Sequence, residues 1–275
     1  MEDIKRRIQT IVVPYFCFGT LTLVYWQLIE RRFRDSNMSF GSAVLGFISG
    51  QEDRLDFNVH LWFLPCFFVI VVLFNALMKI MRGQRGLRFA VLISIAMSAV
   101  YVVKPLPSLP WGLDRILKFI GFYAFGTLCA KQVINRRIED LKISVRWIIA
   151  AVLLTASFTF SYGGLTKGVM WFVTAIIGFM AVLIISILIN RNKALEYFGR
   201  ISLVVLCIHG PVYRVIVKIL SLPLGMDTDA VRENFILSMI VVVITLVICA
   251  AGYEILNRFM PWIIGKEKLK AAKIK

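Results

Sequence analysis

VMWFVTAIIGFMAVLIISILI, residues 169–189, carries no charged side chain along its whole length. A bilayer's hydrocarbon core is about 30 Å thick, and an α-helix rises about 1.5 Å per residue, so about 20 apolar residues span it. Backbone groups inside lipid must bond to one another, which makes such a segment a helix. The same ruler, moved outward along the chain, predicts eight spans, near 9–29, 61–81, 89–104, 114–134, 147–161, 169–189, 201–221 and 235–256. Composition agrees with lipid as the solvent. Of 275 residues, 59% are hydrophobic and only 17% are charged, too few charges to cover a soluble domain of this length. The fold class expected is all-α: a polytopic integral membrane helix bundle forming a single domain over residues 1–275.

Basic residues set the predicted orientation. Lys5, Arg6 and Arg7 precede the first span, and Lys79, Arg82, Arg85 and Arg88 surround the second connection. Lys131, Arg136, Arg137, Lys142 and Arg146 fill the fourth, and Arg191, Lys193 and Arg200 the sixth. Arg258, Lys266, Lys268, Lys270, Lys273 and Lys275 close the chain. With eight alternating spans all of these fall on one side, opposite Glu30, Asp35, Glu52, Asp53, Asp56, Asp227, Asp229 and Glu233. The positive-inside rule then places both termini in the cytoplasm of a multi-pass cell-membrane protein, a bacterial inner membrane being the natural setting. The net charge of +16 is spread over short connections, where anionic lipid headgroups are the partner, and not gathered into a nucleic-acid-binding module.

Cys17, Cys66, Cys129, Cys207 and Cys249 all lie in apolar runs with no CxxC pair, so they read as small hydrophobes and no metal site is expected. P-loop, dinucleotide, HExxH and GxSxG signatures are absent. Asp227-Thr228-Asp229 has DxD spacing but lies in a short polar loop and reads as a solvated turn. Asn37-Met38-Ser39 matches a glycosylation sequon by pattern only. Asp114 with Lys118, and Glu254 with Arg258, have the four-residue spacing of helical ion pairs.

Only two histidines occur. His209 falls near the middle of a span, where an imidazole either works in a wet cavity or bonds a backbone carbonyl loosened by Pro211. Arg214 and Lys218 follow on the same helix, four residues apart. They either snorkel to the interface or line a substrate cavity for an anion or a polar sugar. His60 precedes Trp62 at the outer boundary, where the plain reading is an interfacial histidine in an aromatic belt.

Four segments carry a family resemblance. Leu61-Trp62-Phe63-Leu64-Pro65 resembles the WFLP signature of the membrane acyltransferase-3 family, in the branch with fucose 4-O-acetylases. Lys5-Arg6-Arg7 before Ile11-Val12-Val13-Pro14-Tyr15 is similar to its basic stretch leading into LIPY. Leu109-Pro110-Trp111-Gly112-Leu113-Asp114, followed by Phe122-Tyr123-Ala124-Phe125-Gly126, resembles its PWxLD segment and next helix. Tyr197-Phe198-Gly199-Arg200-Ile201-Ser202-Leu203 through His209-Gly210-Pro211 resembles its GxxSLxxxxxHxP segment.

The resemblance implies a ten-span membrane O-acyltransferase that moves an acyl group, commonly acetyl from acetyl-CoA, onto an extracytoplasmic glycan or lipid-linked saccharide. It also implies an arginine and, eleven positions on, a histidine base in the family's first helix. Here the residues eleven before His60 and His209 are Ser49 and Phe198, and the match starts at the family's third span. Either the chain is a fragment lacking two spans and the base, which would insert but not catalyse, or it is a divergent protein that recruits His209 or His60 or has lost catalysis. The resemblance, together with side-chain chemistry, implies those histidines as the catalytic candidates, and Arg6 and Arg7 as the residues that would hold the CoA phosphates. A reading from another class is a polysaccharide export or flippase component, with His209 and Arg214 lining a passage.

Overall fold

The computed structural model describes residues 2–33, 38–81, 83–103, 106–130, 138–164 and 169–266. Asn37 of the sequon, and the orienting charges Asp35, Arg82, Lys131, Arg136, Arg137, Lys268, Lys270, Lys273 and Lys275, lie outside these residues. The described residues form helices and turns and no strand. In chain order they are α1 (Glu2–Arg7), α2 (Val13–Leu28), α3 (Phe40–Ser49), α4 (Phe63–Ile80), α5 (Gly83–Val103) and α6 (Leu113–Ala130). There follow α7 (Ile143–Tyr162), α8 (Val169–Ile189), α9 (Lys193–Leu224), α10 (Thr228–Glu233) and α11 (Phe235–Phe259).

Among the described residues six helical segments are long and apolar enough to cross a membrane: Ile4–Arg32, Val59–Ile80, Ile143–Tyr162, Met170–Ile189, Lys193–Leu224 and Phe235–Phe259. The other two predicted spans correspond to α5 and α6. Both are helical, and α6 carries Asp114, Arg115 and Lys118 in its first two turns. The apolar surface behaves as lipid-facing surface does. Along α7 only Ala150 is buried, while Ile148, Val152 and Phe158 are each more than 60% exposed. In water so continuous an apolar face would drive aggregation.

The chain divides into two compact units. One comprises residues 1–68, 110–112 and 197–275. Its core packs Tyr15, Phe18 and Trp26 of α2 and Leu55, Phe57 and Leu61 of the segment before α4 around Ile201, Val204 and Cys207 of α9. The Tyr15 hydroxyl donates to the Phe47 carbonyl, tying α2 to α3. Between α1 and α2 the backbone takes one π-helical turn, Ile8–Val12. Gly265 rests against it, with the site of a Cβ only 2.7 Å from the Thr10 Cα. Nearby, the Lys266 ammonium donates to the Tyr253 hydroxyl and to Asn257 Oδ1, each at 2.7 Å.

Gly46 on α3 shows how close this packing is. A Cβ there would lie 2.7 Å from the Arg54 carbonyl carbon, and backbone cannot yield as a side-chain tip does. Gly46→Ala is therefore expected to destabilise the protein by about 1–3 kcal/mol, the usual range for overpacking. A lowered melting temperature in detergent would show it, and an unchanged one would refute it.

The second unit comprises residues 69–109 and 113–196, with α5 paired to α6 and α7 to α8. Small residues bring the paired helices together, as is usual in membranes. The Gly121 amide donates to Ser98 Oγ at 3.1 Å, and Ser157 Oγ sits 2.9 Å from where Gly178 would carry a Cβ. Asp114 is buried and accepts from the Leu109 amide at 3.0 Å, with the Arg115 guanidinium 3.5 Å away. The Lys118 ammonium stands 4.2 Å over the Trp171 ring, a cation–π contact within this unit. Glu254 likewise accepts from the Tyr197 hydroxyl at 2.9 Å, while Arg258 lies over Phe259. Four of the cysteines are buried and Cys17 is half-buried, all as free thiols.

Candidate functional site

The segment Leu55-Asp56-Phe57-Asn58-Val59-His60-Leu61-Trp62 joins α3 to α4, and its residues face two ways. Leu55, Phe57, Asn58 and Leu61 are fully buried, whereas His60 is exposed. Burial of the apolar three presses the segment onto α9, and two polar ties then fix its register.

The first tie arises from Pro211. Proline has no N–H, so the carbonyl four residues earlier, that of Cys207, loses its helical donor. Asn58 Nδ2 replaces it at 2.7 Å. The second tie is at Arg214, whose guanidinium donates to the Phe57 carbonyl and pairs with Glu30 through Nε–Oε1 at 2.7 Å and Nη2–Oε2 at 3.2 Å. Glu30 is fully buried at the end of α2. A carboxylate there would be costly without a cation, and the near-bidentate guanidinium supplies one.

These ties bring His60 against His209, with ring centroids 4.3 Å apart and the planes tilted by 36°. The histidine at the boundary thus meets the one at mid-helix and does not stand alone at an interface. His209 Nδ1 lies 2.7 Å from the Val205 carbonyl and 3.2 Å from that of Leu206. A carbonyl can only accept, so Nδ1 carries a proton, and in the neutral ring Nε2 then holds the lone pair. The carbonyl that Pro211 loosens goes to Asn58, and His209 bonds others one turn earlier. His209 is half-buried and His60 exposed, so the pair is reachable from outside the core.

Arg214 stands on the same helix but is occupied by Glu30 and the Phe57 carbonyl, and Lys218 is half-buried one turn beyond. Arg6 is exposed at the end of α1, and Arg7 is half-buried with its Nε unpartnered. Asp227 accepts from the Thr228 amide at the start of α10, and Asp229 pairs with Arg232 at 2.9 Å. Among the described residues no group of three or more metal-ligating side chains converges. Asn58 and Glu30 were missed in the sequence. The available signal was the proline itself, which guarantees an orphaned carbonyl four residues back.

A comparison with protein-family models matches the acyltransferase domain of the acyltransferase-3 type over residues 3–254. The chain belongs to the acyltransferase-3 family. No curated protein and no solved structure matches it. Membership together with the six apolar helices makes this acyltransferase-3 protein a multi-pass membrane protein of general acyltransferase type.

Proposed function

We propose that this acyltransferase-3 protein moves acetyl from acetyl-CoA to a hydroxyl of a cell-surface or exopolysaccharide sugar, presented as glycan or as lipid-linked saccharide. The observation that carries the proposal is the His60–His209 pair, two imidazoles 149 residues apart in sequence and 4.3 Å apart in space. His209 Nε2 takes the proton of the sugar hydroxyl as its oxygen attacks the thioester carbonyl. The tetrahedral intermediate then expels CoA as thiolate, which recovers a proton, and the O-acetyl ester remains on the sugar. Positioned base catalysis of this kind contributes about 10²–10⁴-fold.

The rest of the reading follows from charge and span. On this reading α5 and α6 cross the membrane along with the six long apolar helices, and an even number of crossings returns both termini to one side. The basic connections make that side the cytoplasm of the cell membrane. Arg6 and Arg7 then face the compartment that supplies acetyl-CoA and hold its phosphates, with no metal required. One acyltransferase domain serves the whole chain, in the fucose 4-O-acetylase-like branch, and Lys218 lies beside the route the sugar takes.

The test is the acetyl content of the host's surface glycan. Deletion of the gene should remove an O-acetyl signal from the NMR spectrum of that polymer, and re-expression should restore it. An unchanged O-acetyl content would overturn the assignment. Glycan stranded inside the cell at normal acetylation would point to export instead.

A further inference from the structure

Asn58 is fully buried, and its amide is only half satisfied. Nδ2 donates to the Cys207 carbonyl at 2.7 Å, which fixes which end of the carboxamide is nitrogen. Oδ1 is buried too and finds no donor among the described residues. Leaving such an acceptor unpaired costs about 1–3 kcal/mol, so a donor that could reach it would be drawn there.

Gly210 leaves the space for one. A Cβ on this buried glycine would lie 3.5 Å from Asn58 Oδ1, 3.1 Å from His60 Cδ2 and 3.7 Å from His60 Nε2. The unpaired oxygen and the imidazole therefore stand around one methyl-sized notch that a side chain would fill. His60 is exposed, so its ring lies outside the close-packed core and has freedom to turn toward that notch.

We propose that Asn58 is a positioning residue for His60: Oδ1 accepts the proton carried by His60 Nε2, and Gly210 provides the room for it. Nδ1 of His60 then holds the lone pair. His209 is pinned the opposite way, through Nδ1 to the Val205 carbonyl, with its lone pair on Nε2. The two neighbouring rings are thus held in complementary tautomers by two different acceptors, a side-chain amide oxygen and a backbone carbonyl. Asn58 also joins them mechanically, because its Nδ2 grips the carbonyl two residues before His209. The inference rests on the reading of His60 and His209 as the working pair.

Nitrogen-15 NMR of histidine-labelled full-length protein in lipid nanodiscs reads the tautomers without any substrate. The wild type should show His60 protonated at Nε2 and His209 at Nδ1. Gly210→Ala, which keeps the amide and fills the notch, should shift His60 toward the other tautomer and leave His209 unchanged. Asn58→Ala should do the same. If Asn58→Ala fails to fold, Gly210→Ala carries the test. With acetyl-CoA and a glycan acceptor, kcat for Gly210→Ala should fall up to about 10²-fold at nearly constant KM, the consequence of a misplaced group. A wild-type His60 protonated at Nδ1, or a tautomer that neither variant moves, overturns the assignment of Asn58. Tautomers as expected in a protein with no acyl transfer would sink the acetyl-transfer proposal and leave the role of Asn58 standing.

Discussion

His209→Ala should abolish acyl transfer by about 10²–10⁴-fold with the protein still inserted in the membrane, because it removes the positioned lone pair on Nε2. The helix around it is held by bonds that do not pass through the imidazole: Asn58 to the Cys207 carbonyl, and Arg214 to Glu30 and the Phe57 carbonyl. His209→Gln sharpens the result. A glutamine amide keeps a donor for the Val205 carbonyl but offers no basic nitrogen, so it should be as inactive as alanine. A steady-state assay with acetyl-CoA and the glycan acceptor separates the possibilities. Wild-type turnover in either variant removes His209 from the chemistry, and full activity in the glutamine variant alone would reduce it to a structural tie. Loss confined to His60→Ala would place the base on the exposed ring.

Glu30→Ala should cost about 3–5 kcal/mol of stability, the usual penalty for leaving a buried charge without its partner. Glu30 is fully buried and the Arg214 side chain is 17% exposed, so neither charge can turn fully to water when the other is lost. The effect should spread. Arg214 also holds the Phe57 carbonyl, and a guanidinium released from Glu30 no longer fixes the segment that carries His60. Thermal unfolding in detergent should therefore show a large fall in melting temperature, together with reduced acyl transfer. Glu30→Met combined with Arg214→Met should recover much of the stability, since an apolar pair of similar volume needs no charge compensation. An unchanged melting temperature in Glu30→Ala would mean that water or another group already satisfies the guanidinium. Failure of the double variant to regain any stability would show that the pair positions the segment in a way packing cannot replace.

Particular residues show where sequence reading stops. The apolar run 169–189 announces a membrane helix because length and hydropathy are properties of consecutive residues, and α8 is found over those same positions. Segments with fewer apolar residues are less legible. The spans expected over 89–104 and 114–134 correspond to α5 and α6, which pair with each other, and Asp114, Arg115 and Lys118 take α6 out of the plainly apolar set. Lys118 also lies over Trp171, 53 positions away, a contact that its four-residue spacing from Asp114 does not announce.

What the sequence determined by itself is therefore the membrane character, the long apolar helices and the family. Each of these rests on local composition or on short motifs that survive without any knowledge of packing. His60 and His209 could be named as candidates, since only two histidines exist and one lies inside a span. The tertiary structure alone decided that the two rings meet. Three long-range contacts bring them together, Asn58 to Cys207, Arg214 to Phe57 and Arg214 to Glu30, across 149, 157 and 184 positions. No pattern of nearby residues encodes such distances. They arise because a proline leaves one carbonyl without a donor, a buried carboxylate demands a cation, and the folded core admits one arrangement that satisfies both.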